Sequence, residues 1–171
     1  MSNQPMAQGE QWLETLLRFL KLAAEVQATD AESLDRDEHS YWLTIDHTKL
    51  TSEQIQILIG FQGTTIDAIQ YLANTILNLP QDQQQQASYT VELDGYRVRR
   101  KAELQAIATH AAEQVRITGK EFELKYLSSA ERRQVHTLLK DCDDLKTQSR
   151  GQEPDRRLVV SRRRRIEEFS H

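Results

Sequence analysis

Apolar residues recur along the first half of the chain with two periods, and the switches between them outline its elements. Trp12, Leu13, Leu16, Leu17 and Leu20 fall three and four apart, which predicts an amphipathic helix over Trp12 to Leu22. Residues 23–29 are a weaker strand candidate, and the acidic stretch Asp30 to Glu38 reads as a loop. From Ser40 to Asp46, Tyr41, Leu43 and Ile45 alternate with Trp42 and Thr44, the signature of a strand with one buried face. Thr51 and Gln54 have capping-box spacing ahead of Ile55, Leu58 and Ile59, so a short helix is expected to stop at Gly60. After Gly63 a second helix starts at Thr64 or Thr65, with Ile66, Ile69, Leu72, Ala73, Ile76 and Leu77 as its apolar stripe. Pro80 ends it, the polar run Gln81 to Gln86 connects, and Tyr89, Val91 and Leu93 mark another strand.

Beyond Gly95 the helical period returns from Tyr96 to about Ile117, with Leu104, Ile107, Ala108, Ala111 and Val115 inward and Gly119 as the stop. Phe122, Leu124 and Tyr126 alternate as a strand, Ser128 and Glu131 form a second capping box for a helix to about Lys140, and Leu158 to Val160 is a final strand after Gly151 and Pro154. The pattern is α+β. An αββααβ unit over residues 1–94 is followed by a small α/β unit over 95–161 and a basic tail over 162–171.

Charge divides the chain at the same place. Residues 1–94 hold 4 Lys+Arg against 14 Asp+Glu, a balance of −10, whereas residues 95–171 hold 18 against 12, or +6. The overall −4 conceals a basic second half suited to a polyanion. No run approaches the roughly 18 apolar residues of a membrane span, and no leader pattern opens the chain, so a cytoplasmic protein without membrane insertion is expected. The single Cys142 has no disulfide partner in the chain and sits in no metal-ligand spacing; neither cofactor nor metal is expected. Nucleotide-binding and nucleophile-elbow glycine motifs are absent, which argues against an enzyme.

Two short constellations carry candidate chemistry. Gly60-Phe61-Gln62-Gly63, followed by Thr64 at a helix start, would let a nucleic-acid backbone approach the main chain and the helix amides; the same spacing also serves a plain helix–helix turn. Phe61 is either a base-stacking residue or one packed on its own domain. Arg132 and His136, four apart, share one helix face and are positioned to grip one phosphate or two neighbours, or else form a solvated Arg beside a packed His. The run Arg162 to Arg165 adds nonspecific phosphate attraction or is a solvated tail.

The run from Leu58 to Asn78 resembles the helix–GXXG–helix core of a type II KH domain, and YLSSAERRQVHTLL with the stretch Thr147 to Val160 resembles the R-three-H domain. Joined by Asp94-Gly-Tyr-Arg-Val-Arg-Arg-Lys101, they resemble the C-terminal part of the Jag family of RNA-binding proteins over roughly residues 10–161. The resemblance implies single-stranded RNA as partner, with single-stranded DNA as the alternative, and a small KH-domain protein as a further partner. It implies a clamp at Gly60 to Gly63 and a second site at Arg132 and His136. Arg133, Arg150, Arg156 and Arg157 would help, although Arg156 or Arg157 could equally pair with Glu153 or Asp155. Phe61 and Gln62 depart from the Lys or Arg usual in the loop, so a weak clamp, or a KH-like half turned to protein interaction, is the competing expectation. The family's N-terminal Jag domain is not among the 171 residues.

Overall fold

The computed structural model describes residues 4–31, 39–80 and 86–163. The expected acidic loop falls largely, the glutamine run mostly and the basic tail beyond Arg163 wholly outside them. The chain divides into two compact units, Met1–Arg97 and Val98–His171.

In the first unit the order is α1 (Gln4–Phe19), β1 (Val26–Asp30), β2 (His39–Ile45), α2 (Ser52–Ile59), one 3-10 turn (Phe61–Gly63), α3 (Thr64–Asn78) and β3 (Ala87–Leu93). The sheet order is β1-β2-β3, with β1 antiparallel and β3 parallel to β2. Alternation puts Tyr41, Leu43 and Ile45 of β2 and Tyr89, Val91 and Leu93 of β3 on one face, against Leu13 and Leu17 of α1 and Ile66, Ile69 and Ala73 of α3. Helix α1 begins earlier than its apolar stripe. The Tyr89 hydroxyl donates to the Pro5 carbonyl at 3.0 Å, and Gly9 rests so close to Tyr89 that a Cβ there would lie 2.7 Å from the ring. Leu20, Leu72 and Ile76, expected inward, are substantially exposed: α1 ends at Phe19, before Leu20, and α3 buries Ile66, Ile69 and Ala73 instead.

Both edges of this sheet are closed by helix side chains. On β1, the amides of Val26 and Ala28 donate to Glu14 and Glu10, four apart on α1. On β3, Asn78 exchanges hydrogen bonds with Ala87, Asn74 does the same with Tyr89, and Gln70 accepts from Val91 N–H at 3.0 Å. The i, i+4, i+8 spacing of these amides on α3 matches alternate residues of the strand.

In the second unit, α4 (Tyr96–Thr118, whose first two residues belong to the first unit) is followed by β4 (Phe122–Leu124), α5 (Ser129–Leu139), β5 (Leu145–Arg150) and β6 (Arg157–Arg162), with sheet order β4-β6-β5, all antiparallel. The core combines Leu104, Ala108, Ala111 and Val115 of α4 with Val135 and Leu139 of α5, Leu145, Leu158 and Val160. Strand β4 stops at Leu124, and Tyr126, expected to continue it, is exposed with φ of 61°. Strand β5 was not expected, because only Leu145 of Leu145–Arg150 is a buried apolar residue.

Candidate functional site

The glycine turn of the first unit is built for its own packing. Thr51 caps α2 with the expected box, its hydroxyl accepting from Gln54 N–H at 3.1 Å and the Gln54 side chain accepting from Thr51 N–H at 2.9 Å. Gly60 then takes φ of 73°, Gln62 follows at 50° and Gly63 at 82°, the left-handed region that glycine enters without strain. A Cβ on Gly60 would lie 2.3 Å from Thr65 Oγ1, and one on Gly63 would lie 1.9 Å from Tyr96 Oη. Phe61 is 71% exposed and Thr64 is exposed, whereas Gln62 is half-buried with its amide oxygen turned inward. No Lys or Arg stands in this turn.

The junction segment holds each unit internally. Arg97 donates to the Val91 carbonyl at 3.0 Å, to Asp67 at 2.6 Å and to Gln70 at 3.0 Å, all within the first unit. Arg100 donates to Glu131 at 2.7 Å, and Glu131 also accepts from Ser128 N–H at 2.9 Å, so Arg100 braces the capping box that starts α5.

Arg132 and His136 occupy the same side of α5 but play different parts. Arg132 is only 4% exposed. Its guanidinium donates to the Leu127 carbonyl at 2.7 Å, the Arg156 carbonyl at 3.4 Å, Ser129 Oγ at 3.0 Å and the Glu153 carboxylate. Where a grip on phosphate beside His136 was the expectation, the structure places both terminal nitrogens of Arg132 on protein acceptors. It ties the first turn of α5 to the Gly151 to Arg156 loop, with its donors already directed at protein acceptors. His136 is exposed and its Nδ1 meets Thr147 Oγ1 of β5.

A groove of about 380 Å³ runs beside these residues. Ser129, Arg132, Arg133 and His136 line it from α5, and Thr147, Ser149, Arg156 and Leu158 from the sheet side. Arg133 and Arg156 are exposed, without an ion-pair partner among the described residues, so two cations and His136 overlook a cleft of mixed polar and apolar surface. The other two arginines are elsewhere. Arg150 makes a two-point pair with Glu121 at 2.7 and 2.9 Å, which holds that carboxyl below the usual carboxylate range, and Arg157 pairs with Glu123 at 3.1 Å. Neither Arg156 nor Arg157 pairs with Glu153, which is bonded to Arg132. Thr147, Ser149 and Ser129 escaped sequence reading because isolated hydroxyl residues carry no periodic signal until a strand sets their direction.

Among the described residues no group of three or more His, Cys, Asp or Glu side chains forms a metal-ligand cluster, and no helix is long and apolar enough to cross a membrane.

The R-three-H domain family matches residues 102–162. Curated relatives named RNA-binding protein KhpB are similar to much more of the chain. That of Bacillus subtilis is 28% identical over 162 residues, 94% of this chain and 72% of the relative. That of Clostridium symbiosum is 30% identical over 118 residues, 69% of this chain and 52% of the relative. That of Lactiplantibacillus plantarum is 35% identical over 146 residues, covering 85% and 43%. The chain thus spans from under half to under three quarters of the length of these relatives.

Proposed function

This chain belongs to the Jag family, the KhpB-type proteins with an R-three-H domain, and from that premise we propose that it binds single-stranded RNA through the groove between α5 and β5. The observation that carries the proposal is the pairing of two uncommitted guanidinium groups, Arg133 and Arg156, with His136 across one cleft of the basic half. Phosphates meet the cations by charge-assisted hydrogen bonds. Arg132 shapes the groove by holding the Arg156 carbonyl and the α5 start.

The first unit is read as a type II KH-like domain over residues 1–94, ahead of an R-three-H-like domain over 95–161. Its element order, its parallel β2/β3 pair and the Gly60 to Gly63 turn between two helices support this. In that reading the RNA backbone passes Gly60 and Gly63, Phe61 stacks on a base, and the absence of a loop cation makes the contact the weaker of the two. A protein partner for this unit is favoured by one specific observation. Leu72, Ile76 and Leu79 form an exposed apolar row on and just beyond α3, beside a cleft lined by Trp12, Leu77 and Pro80. A small KH-domain protein fits the family's chemistry, and single-stranded DNA remains the alternative nucleic acid.

Titration of the protein with single-stranded RNA at several salt concentrations tests the reading. Affinity is expected to fall with salt, with a log–log slope of about −0.7 per neutralised phosphate. Arg133→Gln with Arg156→Gln is expected to flatten the slope by about 1.4. An unchanged slope in the folded double variant removes the groove from the account.

A further inference from the structure

The wall of the groove opposite α5 is made by a strand whose chemistry changes along its length. On β5, residues 145, 147 and 149 share one face. Leu145 is in the core, but Thr147 and Ser149 emerge half-buried into the groove. Their register partners on β6 are Val160 and Leu158, both core residues, so the sheet's helix-facing side turns from aliphatic to hydroxyl on this strand alone. Apolar side chains would suffice for packing there.

The rest of the groove suits a sugar–phosphate backbone better than bases. Its lining includes no Phe, Tyr or Trp on which a base would stack. Phosphate oxygens only accept hydrogen bonds, so they belong with Arg133, Arg156 and His136, whose Nε2 is left outward when Nδ1 meets Thr147. A Ser or Thr hydroxyl both donates and accepts. A ribose 2′-OH does the same, and deoxyribose offers neither. The Ser149 side chain has no internal hydrogen bond among the described residues, and Thr147, after its single bond to His136, keeps capacity for another.

We propose that Thr147 and Ser149 are the specificity-determining residues that let this groove prefer RNA to DNA, by hydrogen-bonding the 2′-OH of a strand whose phosphates lie against Arg133, His136 and Arg156. This rests on the reading of the groove as an RNA site. Thr147 also acts as a positioning residue for the His136 ring.

The test compares the full chain's binding of an oligoribonucleotide with that of the deoxyribose oligomer of the same sequence and of its 2′-O-methyl form, which cannot donate. The wild type is expected to prefer RNA. Ser149→Ala, which removes no internal bond, is expected to cut the RNA-to-DNA affinity ratio about two- to threefold, and Thr147→Val with Ser149→Ala to cut that ratio by about tenfold while also weakening DNA through the released His136 ring. Thr147→Ser is expected to keep the preference, and the 2′-O-methyl strand to bind the wild type as weakly as DNA. Equal wild-type affinity for RNA and DNA, or a loss of both in parallel in Ser149→Ala, overturns this inference while leaving the nucleic-acid groove intact. Binding of neither strand at low salt overturns both.

Discussion

The two units place their most recognisable residues in the same role and differ in what stands beside them. In the first, Gly60 and Gly63 are required by left-handed backbone and by contact with Thr65 and Tyr96. In the second, Arg132 is required by its bonds to Leu127, Ser129, Arg156 and Glu153. Each motif residue is first a support. Around Arg132 the chain leaves Arg133, His136 and Arg156 turned outward, whereas around Gly60 and Gly63 it leaves an aromatic ring and no cation. In both units the motif residues themselves are committed to the protein's own structure, and the exposed groups are their neighbours.

Removing the support in the second unit has the largest expected effect. Arg132→Ala deletes hydrogen bonds from a buried guanidinium and is expected to cost about 3 kcal/mol, lowering the melting temperature by on the order of 10 °C. An Arg132→Ala protein with wild-type stability and abolished RNA binding would return Arg132 to the ligand. The counterpart in the first unit is Gly63→Ala, which forces a Cβ onto Tyr96 at φ of 82° and is expected to cost about 2 kcal/mol in a denaturant titration. Next comes binding. Arg133→Gln with Arg156→Gln is expected to weaken RNA at least about tenfold, each charge-assisted contact being worth about 1.5–3 kcal/mol before solvent screening. Phe61→Ala is expected to weaken it less, by about threefold, although a fully stacked base would be worth about 1–3 kcal/mol. If Phe61→Ala proves the larger loss, the first unit is the main site and the comparison is inverted.

The smallest effect concerns surface charge on the second unit. Arg116 donates to Asp144 at 2.7 and 3.0 Å and holds its carboxyl below the usual carboxylate range. Because the folded value is the lower one, the pair's stabilisation is present above the unfolded pKa of about 4 and fades as pH falls through the folded value. Arg116→Gln is expected to raise the Asp144 pKa, read by carboxyl NMR titration, and to remove this acid-sensitive increment from unfolding curves.

Most elements were legible because they bury one face in a simple period. Tyr41, Leu43 and Ile45 announce β2, and the Thr51 and Ser128 boxes announce their helices, since these signals are local. The groove was only half legible. The Arg132 and His136 spacing marks its α5 wall, but which of the two points inward depends on Glu153 and Arg156, contacts across sequence separations that no local pattern encodes. Strand β5 was missed for a related reason. A strand whose helix-facing side runs Leu145, Thr147, Ser149 holds one apolar residue in that period, so no alternation announces it. Helix α1 shows the opposite case, where Gln4 to Gln11 is too polar to read as buried, yet the helix is held by the Tyr89 hydroxyl on the Pro5 carbonyl and by its own Glu10 and Glu14 carboxylates, which accept from the β1 amides of Ala28 and Val26.

Those carboxylates, with the amide row of α3, have a consequence for assembly. A sheet normally grows by adding a strand to an unpaired edge, the route of peptide capture by strand addition and of amyloid-like association. In the first unit the outward amides of Val26 and Ala28 already have acceptors, and Ala87, Tyr89 and Val91 are bonded to Asn78, Asn74 and Gln70. An incoming peptide would have to displace a matched ladder at either side. A partner of this unit is thus turned away from strand addition, and the three-stranded sheet is guarded against templating copies of itself.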